Sequence, residues 1–525
     1  MMKYYIILFV FHLTNFANGN PSAEEDTDEG QKQQYCVTEI EHDPKILLER
    51  SQDATDWALS NGLIKLVPAM CQNCSRKTQN QSFVAELIPI SLYPSPFPGK
   101  LFRQAMEVHR AMLLLYFRAS QDFTFLKETH RQLMESNEDN KIKKMISLLD
   151  DLYEEGIKQP VAMFCQRSDY MASQNDDGEY LLKQVEVNTG AVGGVGACSR
   201  VSEHHKRMVA NAGIDASEAV MPLDQTDLLF AETLYEAWKQ FGDKKAVILF
   251  VHNQPSHIKL DSRKVQYQLE KIATERIMCR FITLSEGLKR LKIDPDNFNL
   301  ILDDKFVVAV VFDRLGGQIT RPEAALNFSF ERTTAIKTPP YVFAIAHTKK
   351  MQQVFTKPGM VERFFPDPKE AHIVEAIRKV QAKSWALGDD ENEADEIKKK
   401  VYENPQNYVL KTNECGTPNQ RLFFNDDIPK KLARMTPAEH NYFYIMEKLR
   451  PMVVKNHFVR PKIGFTANLD VTPELGIYGC LIGNMVTGEV SYVSRFGHTM
   501  KTKTADEDEG GIMRGNSVAD TPYLV

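Results

Sequence analysis

Apolar residues recur at helical spacing over residues 101–117 and 140–152, and the proline cluster 94–98 breaks between segments. The stretch from about 44 to 159 is therefore predicted to be mostly helical. Residues 181–189 read as a strand, followed by a glycine-rich turn at 190–196 and a helical segment at 201–212. From Lys245 the pattern changes. Apolar strands at 246–251 and 306–312 bracket a helical segment at 264–275, an alternation that predicts a parallel α/β unit, placed at 246–349. The charged stretch 389–400 reads as a helix or a solvated linker. Beyond it, residues 408–411, 442–448, 476–482 and 489–495 carry the patterning of a mainly antiparallel sheet, with Thr487-Gly488 as a hairpin turn. The prediction is an α/β protein whose body, 36–245 and 350–525, is interrupted by a smaller parallel subdomain.

At 525 residues the chain is too long for one simple core, and its 43% hydrophobic and 26% charged residues are those of an ordinary globular protein. A formal net charge of -6 gives no electrostatic reason to expect nucleic acid or an anionic membrane as partner. The first residues differ from the rest. Lys3, the apolar run 4–13 and Ala17-Asn18-Gly19 have the layout of a signal peptide over 1–19, too short to act as a membrane anchor. The acidic stretch 24–30 has no large apolar residue, so 20–35 is expected to be a disordered linker, and the protein to be secreted. Eight cysteines are too few for a disulfide scaffold, though export makes a disulfide plausible. Cys71 and Cys74 form a lone CxxC with no second ligand pair for zinc, and Asn73, Asn80 and Asn327 stand in glycosylation sequons.

Several residues suit chemistry at charged oxygen atoms. Glu186 and Asn188 lie two apart on a predicted strand and share a face, a carboxylate beside an amide carbonyl, which suits a hard cation. The alternative is a polar strand edge. The glycine run that follows admits close backbone approach to a ligand but matches neither common phosphate-loop pattern. Lys501 and Lys503 likewise share a face and could converge on phosphate or carboxylate, ahead of an acidic loop at 506–509 and Gly510-Gly511. Met446, Glu447, Lys448 and Leu449 end an apolar strand, where backbone groups can meet an adenine edge.

Taken together, these pieces resemble the eukaryotic glutathione synthetase family over nearly the whole mature length. The resemblance is carried, in order, by residues 167–171 (RSDYM), 183–189 (KQVEVNT), 348–353 (TKKMQQ), 408–411 (YVLK), 445–448 (IMEK), 474–479 (ELGIYG) and 520–525 (DTPYLV). It implies an ATP-grasp fold with a lid around 411–445, a smaller substrate subdomain and a homodimer. It also implies a ligase that uses ATP and Mg2+ to activate the carboxylate of γ-glutamylcysteine as an acyl phosphate, which the amine of glycine attacks. On this resemblance Glu186 and Asn188 hold the metal, joined by a lid position that falls on Cys415 without a gap or on Glu414 with a one-residue slip. Lys349 and Lys411 hold phosphates, Met446 to Leu449 meet adenine, and Glu474 takes a ribose-side or metal-side role. Asn419, Lys503 and Glu509 complete the nucleotide set. Lys501 and Lys503 are the candidate catalytic residues.

The departures fall on the lid and on the substrate side. The family's triple-glycine loop is replaced by a run in which Gly416 is the one glycine left and Pro418 removes a backbone donor. Arg167 retains the family's dipeptide-binding arginine. Two serines are lost at Ala191 and Gly193, and the family's Arg-Asp-Gly-Tyr reads Asp313-Arg314-Leu315-Gly316, exchanging a cation for a carboxylate. Asn and Gln contacts fall near Ile258 and Ser262. Lys501 replaces an arginine at the glycine-carboxylate site, and Ile512-Met513 crowd a pocket for small residues. Three readings follow: a ligase with a changed small peptide or amino-acid substrate, a secreted binding protein without catalysis, or an ordinary glutathione synthetase. The leader and the divergence resemble effectors of plant-parasitic nematodes, for which a host protein is a further partner.

Overall fold

Strand β1 (Val161–Gln174) alternates its side chains between two cores, with Met163 and Cys165 facing one and Phe164 the other. In the computed structural model its C-terminal half pairs antiparallel with β2 (Tyr180–Thr189), Arg167 standing opposite Asn188 and Asp169 opposite Glu186. Near its start, Ala162 pairs in parallel with Lys337, which joins it to a parallel set. That set is β3 (Val247–His252), β4 (Cys279–Thr283), β5 (Phe306–Asp313) and β6 (Ile336–Thr338), in the order β4-β3-β5-β6. A separate antiparallel sheet has the order β7 (Ser384–Ala386), β10 (Phe443–Glu447), β8 (Tyr408–Thr412), β9 (Leu422–Phe424). The large sheet is completed on the far edge of β1 by β11 (Gly464–Asn484), β12 (Gly497–Thr504) and β13 (Ser517–Asp520). Among the described residues it has 14 strands of mixed sense, with the parallel set on one side of β1 and the mainly antiparallel strands on the other.

Helices cover both faces. Helix α1 (Gly99–Gln121) buries Leu101, Ala105, Val108, Met112, Leu115 and Ala119, a helical stripe that packs with Phe164, Ile477 and Leu481. On the opposite face α2 (Cys198–Asn211), α3 (Thr226–Phe241) and α4 (His257–Ile272) approach the sheet. There Phe230, Leu234 and Trp238 of α3 meet Tyr478, Cys480 and Ile482. Helix α5 (Lys349–Thr356) is capped by Thr348, whose hydroxyl accepts the Met351 N–H at 3.2 Å, placing Lys349 at the first helical position.

The structure describes residues 41, 43–68, 83–135, 141–190, 192–252, 257–314, 329–413, 422–508 and 510–525, all within the compact unit Cys36–Val525. The leader 1–19, the linker 20–35, the Cys71/Cys74 pair, the three sequon asparagines, and the site candidates Ala191, Gly316, Glu414, Asn419 and Glu509 lie outside the described residues. No described helix is long and apolar enough to cross a membrane. The segment 44–159 is less helical than its periodicity predicts. It contains an antiparallel hairpin, Ile64–Pro68 with Phe83–Leu87, and short strands at Ile90–Ser91 and Ser95–Phe97, whose partners Val459 and Tyr523 lie hundreds of residues away. The expected strand 476–482 is the buried core of the much longer β11.

Candidate functional site

Four neighbouring strands contribute polar residues to one face, three of them in pairs at a spacing of two and β11 through Glu474. Arg167 and Asp169 on β1 form a two-toothed ion pair, Nε to Oδ1 at 2.6 Å and Nη2 to Oδ2 at 2.8 Å. Gly476, opposite Asp169 on β11, makes room for it, because a Cβ there would stand 2.9 Å from Asp169 Oδ1 and 3.0 Å from Arg167 Cδ. The Asn188 amide donates to Asp169 Oδ2 and to Glu186 Oε1, both at 2.9 Å. Lys349 donates to Glu186 Oε2 at 2.6 Å, and Lys501 to Glu474 at 2.6 Å across a β11–β12 register pair. Gln352 locks α5 to β2 by accepting the Val187 N–H at 3.1 Å and donating to the Val187 carbonyl at 3.0 Å.

The electrostatic balance of this cluster is uneven. Three carboxylates (Asp169, Glu186, Glu474) face four cations (Arg167, Lys349, Lys411, Lys501). Burial would raise Glu186, yet Lys349 and Lys501 hold it well below the usual carboxylate range. Burial raises Glu474 and Lys501 only partly opposes it, while Lys501 itself is pushed up because Glu474, Asp169 and Glu186 outweigh its desolvation. Lys411 is the exception. Burial, then the Lys349 charge, bring it down to about 8, and among the described residues no carboxylate stands within ion-pair distance of it.

Lys411 lies on β8 opposite Tyr444, and Val409 two residues earlier is opposite Met446. The same face of the small sheet thus carries a cation and an apolar cluster of Ala382, Tyr444 and Met446 with Leu449 against it. That pairing suits a flat ring joined to phosphates. The backbone there is partly committed: Glu447 N–H donates to the Lys383 carbonyl at 3.0 Å and Lys448 N–H to Asn407 at 2.8 Å. The Glu447 carboxylate accepts the Lys383 N–H at 2.8 Å, and the Lys448 ammonium sits over the Phe424 ring. Among the described residues the Leu449 N–H makes no hydrogen bond, so it is the donor left for a ligand. Lys503 is turned toward its own loop, donating to the carbonyls of Glu507 and Asp508, and burial lowers it.

A cavity of about 360 Å³ opens beside this cluster. Arg167, Asp169, Glu474 and Lys501 line one end, Asp261 and Lys264 the other, and Gly193, Gly194, Gly196 and Cys198 form a wall. Ile64, Ile88, Val201, Leu260, Ile512 and Met513 supply the apolar surface. The glycine wall is pinned from outside: Tyr478 donates to the Gly193 carbonyl at 2.6 Å, and Asp261 accepts the Gly196 N–H at 2.5 Å. Arg314, fully buried, donates to both the Val192 carbonyl (2.8 Å) and Asp261 (2.9 Å). Asp313 is buried at the end of β5 and does not line the cavity, and its neighbour Arg314 reaches beneath the glycine wall through one nitrogen, Nη2. Ser262 is buried on α4 and also lies off the lining.

Lys264 stands out among the lining cations. Lys65 pairs with Glu86 at 3.2 Å, Arg167 with Asp169 and Lys501 with Glu474. Among the described residues Lys264 has no carboxylate within ion-pair distance, and burial lowers it. Sequence reasoning missed it because an isolated lysine on a helix has no pattern. Asp169 was within reach: Arg167 and Asp169 repeat the two-residue spacing that singled out Glu186 and Asn188.

The sequence model of the eukaryotic glutathione synthase ATP-binding domain matches residues 45–524. The chain belongs to the eukaryotic glutathione synthetase family. Glutathione synthetase of Xenopus laevis is 29% identical over 493 residues, covering 93% of this chain and 99% of the relative. That of Rattus norvegicus is 30% identical over 493 residues, covering 93% and 98%. A solved structure of a glutathione synthetase-like effector (GSS30) from Globodera pallida, in its apo form, is 57% identical with a TM-score of 0.78, covering 94% of this chain and 100% of that one. The α/β fold is thus of the ATP-grasp-like type, and the family is one of ATP-using ligases. Among the described residues no group of three or more His, Cys, Asp or Glu side chains gathers as a metal site. The donor set at Glu186 and Asn188 nonetheless fits magnesium, which takes few protein ligands and completes its shell with phosphates and water. The Asn188 amide oxygen accepts no hydrogen bond among the described residues, while its amide nitrogen holds the Glu186 carboxylate.

Proposed function

We propose that this chain is a secreted, ATP- and Mg2+-dependent carboxylate–amine ligase of the glutathione synthetase type, acting on an anionic substrate that differs from the family's usual pair. The observation that carries the reading is the buried cluster of four cations and three carboxylates, in which Lys411 has no ion-pair partner among the described residues and adjoins an apolar shelf. A nucleotide supplies both missing partners. Glu186 and Asn188 would hold the metal ion, which when bound neutralises charge on the transferring phosphoryl group. Lys349 and Lys411 would bear on phosphate oxygens in a buried setting where fixed charges act strongly. Lys501, held by Glu474, faces the cavity where the activated carboxylate and the attacking amine would meet.

Changes on the substrate side support an altered specificity. The hydroxyls expected at 191 and 193 are absent, Ile512 and Met513 narrow the amine end, and Lys264 offers a charge in place of the arginine that Asp313 replaces. Secretion is supported by the leader pattern, and an effector role by likeness to the Globodera pallida protein. The family's homodimer is proposed for this chain as well, testable by light scattering.

The test is ADP release by the chain from about Asn20, with Mg-ATP, γ-glutamylcysteine and a panel of amino-acid amines, products being read by mass spectrometry. A ligation product other than glutathione is the expected result. Glutathione alone would return the chain to the ordinary activity. Neither turnover nor nucleotide binding across the panel would remove the ligase reading in favour of a non-catalytic secreted protein.

A further inference from the structure

Two cysteines that the proposed chemistry does not use stand directly opposite each other in the central strand pair. Cys165 on β1 and Cys480 on β11 are register partners, and both are buried, 1% and 0% exposed. The backbone fixes which kind of pair they form. Cys480 donates its N–H to Ser494 Oγ at 2.9 Å, and its carbonyl accepts the Ser494 N–H at 2.9 Å. In an extended residue these two groups leave on the same side, so Cys480 turns both away from β1. The Cys165 carbonyl accepts the Thr189 hydroxyl at 2.9 Å, again on the side away from its partner. The pair is therefore of the non-hydrogen-bonded kind, in which Cα atoms come to about 4.5 Å and side chains are closest. That separation lies inside the range of roughly 4.4–6.8 Å that a disulfide spans.

The side chains agree with the backbone. Both thiols enter the same core beneath α3, and their sulfur atoms are 2.7 Å apart. That is well inside the ~3.5–4.0 Å at which even carbon atoms rest in contact. Cys198, also buried, donates instead to the Gly194 carbonyl.

We propose that Cys165 and Cys480 are a covalent modification site, closing in an oxidising compartment into a cross-strand disulfide that ties β1 to β11. Two residues along the same register Arg167 faces Tyr478, and two further along Asp169 faces Gly476, so the bond fixes the strand pair that carries the cavity's charged end. The reaction is thiol–disulfide exchange with a small-molecule disulfide such as glutathione disulfide. One cysteine thiolate attacks it, expelling one small thiol and forming a mixed disulfide. The second cysteine displaces the other small thiol and forms the Cys165–Cys480 bond. The protein loses two hydrogens, and the oxidant is reduced to two thiols. Because both sulfurs are buried in the finished fold, exchange takes place during folding, before the sheet closes over them.

The test uses the full chain refolded in a mixture of glutathione and glutathione disulfide, then denatured in acid, alkylated with iodoacetamide and digested without reductant. The expected result is one species holding the Cys165 and Cys480 peptides, about 2 Da lighter than their sum, which dithiothreitol separates. The melting midpoint of the oxidised chain should fall on reduction, and Cys480→Ala should abolish the share of that response due to this bond. Cys165→Ala reads the same link if the first variant does not fold. Recovery of both cysteines alkylated from the folded, oxidised chain, or each joined to a different cysteine, overturns the proposal.

Discussion

Raising the pH should weaken nucleotide binding by discharging Lys411. Burial and the neighbouring Lys349 charge bring this lysine to about 8, and Glu186 and Glu474 offset them only in part. The ammonium fraction then falls from about 0.9 at pH 7 to about 0.1 at pH 9, a roughly tenfold loss of the binding-competent form worth about 1.4 kcal/mol. The assay is calorimetric titration of a non-hydrolysable ATP analogue with magnesium between pH 7 and 9.5, on wild type, Lys411→Arg and Lys411→Met. Wild type should lose affinity about tenfold over the first two pH units, Lys411→Arg should bind with little pH dependence, and Lys411→Met should bind weakly throughout. A flat wild-type profile would refute the reasoning, as would the wild-type slope in Lys411→Met. Stability carries the same signature with the opposite sign. The folded-state value lies below the unfolded 10.5, so the cost of burying the charge is present below pH 8. It is relieved as pH rises from about 8 to 10.5, and this contribution should stabilise the apo protein over that window.

Further tests address the rest of the site. Glu186→Gln strips the 2.6 Å partner from buried Lys349 and should cost on the order of 3 kcal/mol in denaturant melts, with loss of Mg-ATP binding. Lys349 and Lys501 depress Glu186 against its burial, so its stabilisation is present above the ordinary carboxylate value and lost as pH falls below it. The variant should lack that part of the acid limb. Gly196→Ala would place a Cβ 2.8 Å from Lys264 Cδ and 3.0 Å from the Asp261 carbonyl oxygen, and should cost about 1–3 kcal/mol by thermal melt because backbone cannot yield as a side chain does. Lys264→Met should weaken γ-glutamylcysteine binding about tenfold or more while leaving Mg-ATP affinity intact, and equal affinity in the two proteins would show that the lysine does not read the substrate.

Where a feature depended only on local spacing, the sequence by itself determined it. The shared face of Glu186 and Asn188 follows from the period of a strand, and so does that of Lys501 and Lys503. The alternation of strands and helices after Lys245 likewise pointed to the parallel pairing of β3 and β5, though not to β4 and β6 beside them. Tertiary structure decided what depends on partners far along the chain. β1 carries Gln166, Arg167, Ser168 and Asp169 in its middle, a run to which spacing alone assigned no element and which becomes a strand where β2 and β11 flank it. Asp313 and Arg314 differ by one position in the sequence. The strand end turns neither into the cavity, and Arg314 instead supports the glycine wall through Asp261 from another helix. That Lys411 and Lys264 meet no ion-pair partner among the described residues was equally illegible, because pairing is a property of a neighbourhood. Spacing along one strand fixes which side chains travel together, and only packing of distant segments fixes which of them meet a counter-charge.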